Sequence, residues 1–535
     1  MLSIHQSIIT MRIIFNLLLT ILLSAGAAFA QKTVTGYIYN DANKNRKKEA
    51  SEKGIPNVAI TNGINVTVTD AKGKYILPIW DDAIVSVIKP SGFAVPVNEY
   101  NQPQFFYVHN PKGSPSSKYK GIAPTGPLPK SVDFALTPSI EQDSFRALIF
   151  GDPQVLDERE VGYFEKGIVS EVLNVKDVAF GLTLGDLAGN DLALHKPYIK
   201  SVSKVGVPWY NVMGNHDMNS DAKADSLTDE TFTANFGPAN YAYNYGKAHF
   251  LILEDNLYPD PDHKGFRGGL TESQFKFVEN DLKLVDTSKL VVMAFHVPLQ
   301  NGYPGSYREE DRDHLFRILE KYPHVLVLSA HSHNQRQELY GKEYGWTNEK
   351  QLYEYNVGTT CGNWWSGKVD EQGVIESDMS DGTPKGYSYL NINGNQYTAD
   401  YKVAGMPASY QINLYHRKVM NDVWWEGRGH IYANFFMGHK DSKVEYRIDD
   451  KPWKPMKFVG GADPAFVAKG AEWDTADTLM RGRRPTEAGN CTHLWNAPLP
   501  ENIGLGEHKI EVRATDVFGR TFTQTSSYRI EKPKW

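Results

Sequence analysis

Five short polar clusters, each directly after an apolar run, carry the side chains of this 535-residue chain that could do chemistry: Asp152-Pro153-Gln154, Gly185-Asp186, Gly214-Asn215-His216-Asp217, His296, and His331-Ser332-His333. Carboxylates, neutral amides and imidazoles together make a mixed oxygen and nitrogen donor set, suited to manganese, iron, zinc or a mixed pair. Divalent ions held this way can act as Lewis acids. The clusters are far apart in sequence, so they act together only if a fold gathers them.

The runs that precede them are Arg146 to Phe150, Val178 to Leu184, Val207 to Met213, Leu290 to Phe295 and Val325 to Ser329, with a further run at His249 to Leu253. Amphipathic stretches at 161–174, 271–285 and 309–321 alternate with them, a pattern that predicts an α/β domain over 141–404. In open α/β sheets the carboxyl ends of the strands face one crevice, which would bring the five clusters to a single site.

The flanks read differently. Residues 31–140 contain short β-rich runs (Val34–Tyr39, Val58–Ile60, Val66–Val68, Tyr75–Ile79, Ile84–Ile88) separated by Gly, Asn and Pro turns, and 405–535 returns to β texture with a clean alternation at 507–516. Each is expected to be an all-β sandwich. Within the first, Asp41, Asn43, Asn45 and Glu52 have the spacing of a calcium loop, although Arg46 stands where the turn wants Gly and Lys47 and Lys48 add repulsive charge, so a polar hairpin loop is the competing reading.

With 63 acidic against 57 basic residues the formal charge is -6, so there is no global basic footprint and no nucleic-acid partner is expected. A positive start at Met11-Arg12, an apolar run from Ile13 to Leu23 and Ala28-Phe29-Ala30 before Gln31 read as a signal peptide over 1–30, cleaved near Ala30-Gln31. The mature product is then expected to be periplasmic or extracellular, with no integral membrane segment. Cys361 and Cys491 are too few for a thiolate zinc site; export would permit them to pair, and two buried free thiols are the alternative.

The order and spacing of the five clusters resemble the calcineurin-like metallophosphoesterase superfamily, whose motifs run Asp-x-His, Gly-Asp, Gly-Asn-His-Asp/Glu, a lone His and Gly-His-x-His. The flanking modules are similar to the β domains of some exported bacterial members, and Gly54-Ile55-Pro56-Asn57-Val58 with Thr69 to Tyr75 resembles prealbumin-like modules. The resemblance implies a metallophosphoesterase sandwich between two all-β sandwich domains, and hydrolysis of a phosphomonoester or phosphodiester by a hydroxide held on two divalent ions about 3.5–4 Å apart. It assigns Asp186 to both ions, Asp152, Gln154 and His333 to one, and Asn215, His296 and His331 to the other. It assigns catalysis to His216 beside Asp217.

Gln154 replaces the usual imidazole with a neutral oxygen donor, which tilts that position toward manganese. The acidic residue that many relatives carry three places after the bridging Asp is missing, leaving Asn190 or Asp191 to orient His216. Trp364, Trp365, Tyr303 and Tyr307 could stack on an aromatic or sugar group, and Arg308, Arg312 and Lys385 could meet phosphate, packing and solvated charge being the alternatives. The substrate class is left open. The rival reading is a surface glycan- or protein-binding module whose phosphoesterase domain is weakened by Gln154.

Overall fold

The computed structural model describes residues 32–260, 265–300, 306–423, 429–500 and 503–535. The signal-peptide reading of 1–30 and the aromatic at Tyr303 lie outside the described residues.

The central region is built on two sheets. One has the order Trp209–Asn211, Phe180–Thr183, Ser144–Phe150, Gly386–Asn393, Gln396–Val403; the other runs Tyr241–Tyr245, Ala248–Ile252, Leu290–Ala294, Val325–Ser329, Leu352–Asn356, Arg336–Tyr340. The motif-bearing strands pair in parallel within each sheet, and antiparallel strands close the edges. Their uninterrupted apolar sequences follow from burial on both faces. Ala147, Ile149, Phe180, Leu182, Phe250, Val292 and Leu328 meet between the sheets. The alternate residues of the same strands point outward. Leu148 and Phe150 pack with Val161, Phe164 and Ile199 on one side, and Val291, Met293 and Val327 pack with Phe275, Val278, Leu315 and Phe316 on the other. The result is a mixed α/β sandwich with helices outside both sheets.

Those helices start where their sequences supply an acceptor. Asp157 caps Glu158–Gly167 through Glu160 N–H, and Thr271 with Gln274 forms a capping box on Glu272–Leu282. Glu309–Leu319 has no side-chain cap, but Glu309, Glu310 and Asp311 crowd its first turn, where the helix dipole favours negative charge.

On the amino-terminal side, two four-stranded sheets enclose their own core of Val34, Ile38, Ile60, Leu77, Val85 and Leu136. The four residues with calcium-loop spacing lie in one turn there. Asp41 accepts from Asn45 N–H and Arg46 N–H, the Asn43 and Asn45 amides donate to Glu49, and Glu52 accepts from Glu49 N–H. The loop's own hydrogen bonds close it except at Glu52 Oε1, which is buried with no hydrogen-bond partner.

The carboxyl-terminal strands form a four-stranded and a five-stranded sheet, but their core is not separate. Phe435, Trp495, Ile510, Val512 and Tyr528 belong to one continuous cluster with the residues between the central sheets. Cys361 and Cys491 are both buried and both free, so the disulfide option is not taken. No helix among the described residues is long and apolar enough to cross a membrane.

Where the amino-terminal module meets the central domain, a cleft of about 380 Å³ is lined by Asp82, Asp225, Asp229, Glu230 and Glu254, with no cationic side chain among its lining residues. Burial, reinforced by Glu230 and Asp82, pushes Asp229 up to about 7, and burial also raises Asp225, Glu230 and Glu254. A carboxyl whose folded-state pKa is raised holds its proton longer folded than unfolded. It therefore costs stability progressively from its unfolded value to its folded one, and the whole cost is present above that. For Asp229 the window runs from the ordinary aspartate range to about pH 7. Thermal unfolding of the wild type against Asp229→Asn should show the variant losing less melting temperature between pH 5 and pH 8; equal losses would show that Asp229 ionises unhindered.

The thiols give a second check. Ellman's reagent should find neither cysteine in the folded protein and both after denaturation without reductant.

Candidate metal centre

Asp152 and Gln154 follow the strand Ser144–Phe150, Asp186 follows Phe180–Thr183, and Asn215 and His216 follow Trp209–Asn211. His296 follows Leu290–Ala294 in the second sheet, and His331 and His333 follow Val325–Ser329. The site therefore lies across the carboxyl ends of both sheets. To turn back into the crevice within two or three residues of the strand end, the chain enters the left-handed region at Asp152, Gln154, Asp186, His331 and His333, with φ between 35° and 64°. Non-glycine residues rarely adopt it, and strain held this way concentrates at functional sites.

Two glycines make the approach close enough. A Cβ on Gly185 would stand 2.5 Å from His296 Nδ1, and one on Gly214 would stand 2.2 Å from both the Asp186 amide nitrogen and its Oδ1. The glycine of each motif is thus a packing requirement of the neighbouring motif.

The donor atoms converge on His296 Nε2. Asn215 Oδ1 lies 3.1 Å from it, and Asp186 Oδ2 and His331 Nδ1 each 3.2 Å. His296 Nδ1 is taken by the Leu184 carbonyl at 2.7 Å, which fixes the ring with Nε2 facing the cluster. The atoms of Asp186, His296 and His331 all lie within 4.8 Å of one another. Burial opposes a charge on His296, but the Asp186 and Asp152 carboxylates outweigh it and push the ring up to about 10. Burial together with the neighbouring His296 drives His331 down to about 3. So much negative charge and so many lone pairs at one point call for a cation.

The adjoining half of the site has the same character. Asp152 Oδ2 stands 3.2 Å from His333 Nε2 with no donor aligned on it, and Gln154 Oε1 is buried with no hydrogen-bond partner. Gln154 Nε2 donates to Asp186 Oδ2 at 3.2 Å. Orphaned buried oxygens cost free energy unless something pairs with them, so this donor set fits a second divalent ion. All seven residues read from the sequence as ligands are brought together.

His216 sits at the rim, half-buried. Its Nδ1 meets Asn190 Oδ1 at 2.8 Å, and its backbone N–H donates to Asp186 Oδ1 at 2.8 Å. Of the two candidates for orienting this ring, Asn190 does so, while Asp191 caps the short turn Leu192–Leu194. Asp217, expected beside His216 in the chemistry, has a different role. It is fully buried and accepts from the N–H groups of Leu187, Ala188 and Gly214, with His195 Nε2 at 3.0 Å. A carboxylate engaged by three backbone donors and an imidazole faces away from substrate and ties the second and third motif loops together.

Several other expectations are corrected. Trp365 is fully buried, donates Nε1–H to the Pro153 carbonyl and packs against Tyr163, so it supports the first motif rather than touching a ligand. Tyr307 is likewise buried. The Lys385 ammonium is buried on the carbonyls of Ile375 and Glu376, and Arg308 and Arg312 pair with Glu310 and Asp313. Trp364 alone of these is open, 40% exposed, its ring centroid 5.0 Å from that of His333.

Some supporting residues had no sequence signal. Asn356 donates to the Ala330 carbonyl and accepts from Ser332, bracing the last motif. Asp255 accepts from His296 and Val297 N–H. Gln335 accepts from Gly358 N–H, and Cys361 Sγ lies 3.9 Å from His333 Nδ1.

Three family models match the chain: "C terminal of Calcineurin-like phosphoesterase" at residues 354–522, "N terminal of Calcineurin-like phosphoesterase" at 41–120, and "Calcineurin-like phosphoesterase" at 145–335. The chain belongs to the calcineurin-like phosphoesterase family, whose members are phosphoric ester hydrolases that use divalent metal ions. Purple acid phosphatase 13 of Arabidopsis thaliana is 27% identical over 139 residues, 23% of this chain and 24% of that protein, so the match spans about a quarter of the curated relative. Among solved structures, purple acid phosphatase PPD1 from yellow lupin (Lupinus luteus) seeds is 15% identical with a TM-score of 0.36, covering 65% of this chain and 67% of that one. Vps29 of Chaetomium thermophilum is 12% identical with a TM-score of 0.18, covering 73% and 100%.

Asp217→Asn should test the tie between the motif loops. An amide in its place sets an N–H against backbone donors and leaves buried groups unpaired, a loss of about 3 kcal/mol. Urea unfolding should show that loss, and an unchanged midpoint would remove Asp217 from the framework.

Proposed function

We propose that this chain is a metal-dependent phosphoesterase acting on a phosphomonoester or phosphodiester outside the cytoplasm. The observation that carries the reading is the convergence of Asp186 Oδ2, Asn215 Oδ1 and His331 Nδ1 within 3.2 Å of His296 Nε2, beside the orphaned Asp152 Oδ2 and Gln154 Oε1. In this reading Asp186 serves two divalent ions. Asp152, Gln154 and His333 would hold one, and Asn215, His296 and His331 the other. Manganese is favoured beside Gln154 because a neutral oxygen donor suits a harder ion than zinc.

When bound, such ions supply Lewis acidity toward the phosphoryl oxygens and lower the pKa of water. The chain's own residues do the rest. His216, its Nδ1 meeting Asn190 Oδ1, would supply the proton taken by the leaving oxygen. Asp217 keeps the His216 loop in register with Asp186 through its three backbone donors. Action outside the cytoplasm rests on the segment ending at Ala30; amino-terminal sequencing of the exported protein should begin at Gln31.

Initial rates on p-nitrophenyl phosphate and bis-p-nitrophenyl phosphate, with manganese and with chelator, test the reaction and which ester is preferred. Chelator should abolish turnover. Asp186→Asn should lose metal and activity together, whereas His216→Ala should keep the metal and lower kcat by about 10²- to 10⁴-fold. Retained activity in the Asp186 variant would overturn the mechanism.

A further inference from the structure

Beside the His333 half of the centre, the catalytic rim is built partly by the carboxyl-terminal module. A segment of that module comes back across the loop 361–368. Gly482–Arg483 pairs antiparallel with Gly367–Lys368, Thr486 Oγ1 accepts from the Asn363 amide, and Arg483 Nη1 donates to the Trp364 carbonyl at 3.1 Å. Trp364 is held at φ +54°, a conformation that a bulky residue adopts only when its surroundings enforce it. The result of that enforcement is an indole left 40% exposed, with its ring centroid 5.0 Å from that of His333 and an interplanar angle of 43°. Its neighbour Trp365, in the same backbone conformation, is fully buried, so the strain is not explained by both rings seeking the core.

Arg483 is itself exposed and makes no ion pair among the described residues, although its charge acts on the Glu160 carboxylate. Its neighbour Arg484 differs, being held by Asp474 and Glu487. A guanidinium without an ion pair, bonded to the backbone carbonyl of an exposed Trp at the edge of a site for phosphate esters, sets an anion-seeking fork beside a residue with a flat apolar face.

We infer that Trp364 and Arg483 together form a substrate-binding rim that selects phosphate esters whose leaving group carries a flat ring, with Arg483 receiving an anionic substituent on that group. The inference rests on the phosphoesterase reading and narrows its substrate class. Trp364 offers a stacking face to the leaving group while the phosphoryl group sits over the His333 half of the centre. Arg483 has two tasks: it fixes the Trp364 backbone through the carbonyl, and its exposed guanidinium is to receive the anionic substituent. The carboxyl-terminal module then determines which ester is accepted without supplying any group to the reacting phosphorus.

The test compares p-nitrophenyl phosphate and p-carboxyphenyl phosphate with glycerol 2-phosphate on the manganese-loaded full chain, in the wild type, Trp364→Ala, Arg483→Ala and Arg483→Lys. Trp364→Ala should raise KM about three- to tenfold for both aryl esters, the size of a lost aromatic stack, with kcat unchanged and glycerol 2-phosphate unaffected. Arg483→Ala should raise KM further for the carboxyphenyl ester than for the nitrophenyl one, and Arg483→Lys should recover part of that difference. Equal losses on aryl and alkyl esters would mean a merely structural role and would overturn the inference, as would unchanged constants. Should the wild type turn over none of these monoesters, nor bis-p-nitrophenyl phosphate, the phosphoesterase reading fails separately. Calorimetric binding of phenylphosphonate to the manganese-loaded protein then decides the rim: binding weakened by Trp364→Ala upholds it, and no binding, or equal binding by the variant, overturns it.

Discussion

The crowding of lone pairs around His296 Nε2 is the constraint on which the rest of the structure depends. Asp186, Asn215 and His331 each bring an acceptor to His296 Nε2 at hydrogen-bond distance, and proteins do not hold such a cluster without positive charge to reconcile it. The framework shows what is needed to keep the cluster from relaxing. Five residues of the site sit in left-handed backbone, Gly185 and Gly214 leave room that a Cβ would fill, and Leu184 fixes the His296 ring from behind. None of these features helps the fold by itself. They make sense as the cost of aiming side chains from two different sheets at one point.

That cost is met by burial around the site rather than within it. The strands are apolar on both faces, with one layer of side chains locked between the sheets and another under the helices. Asp217 adds a polar clamp, spending a buried carboxylate on three backbone donors so that two motif loops move as one. Asn356 does the same for the His331–His333 turn. A rigid surround of this kind is what keeps metal-ligand geometry within the few tenths of an ångström that coordination tolerates.

The flanking β modules relate to this centre in different ways. The amino-terminal one keeps a private core, but it also lays Phe105 against Tyr210 and Tyr241 and adds Ile88 to the cluster under the second sheet, beside an acid-lined cleft. The carboxyl-terminal one shares its core with the space between the catalytic sheets and returns Gly482–Arg483 to the rim. Its likeness to a detachable module, suggested by the return of β texture near residue 405, does not extend to its packing.

The sequence alone determined the clusters that meet at the site and the layer that carries them. Apolar runs ending in Asp, Asn and His are a local signal, because a strand buried on both faces must be apolar throughout and its polar ligands can begin only where it ends. Calcineurin-like membership follows from the order of those clusters. The sequence could not separate Trp364 from Trp365, or Asp217 from His216, since adjacent residues of one type or one motif differ only in which way the backbone turns them. Nor could it place Gly386–Val403 beside Ser144–Phe150, pair Arg483 with the Trp364 carbonyl, or choose free thiols over a disulfide. These are contacts between segments far apart in the chain, fixed by how the two sheets and the carboxyl-terminal module close on one another, and no local pattern encodes that closure.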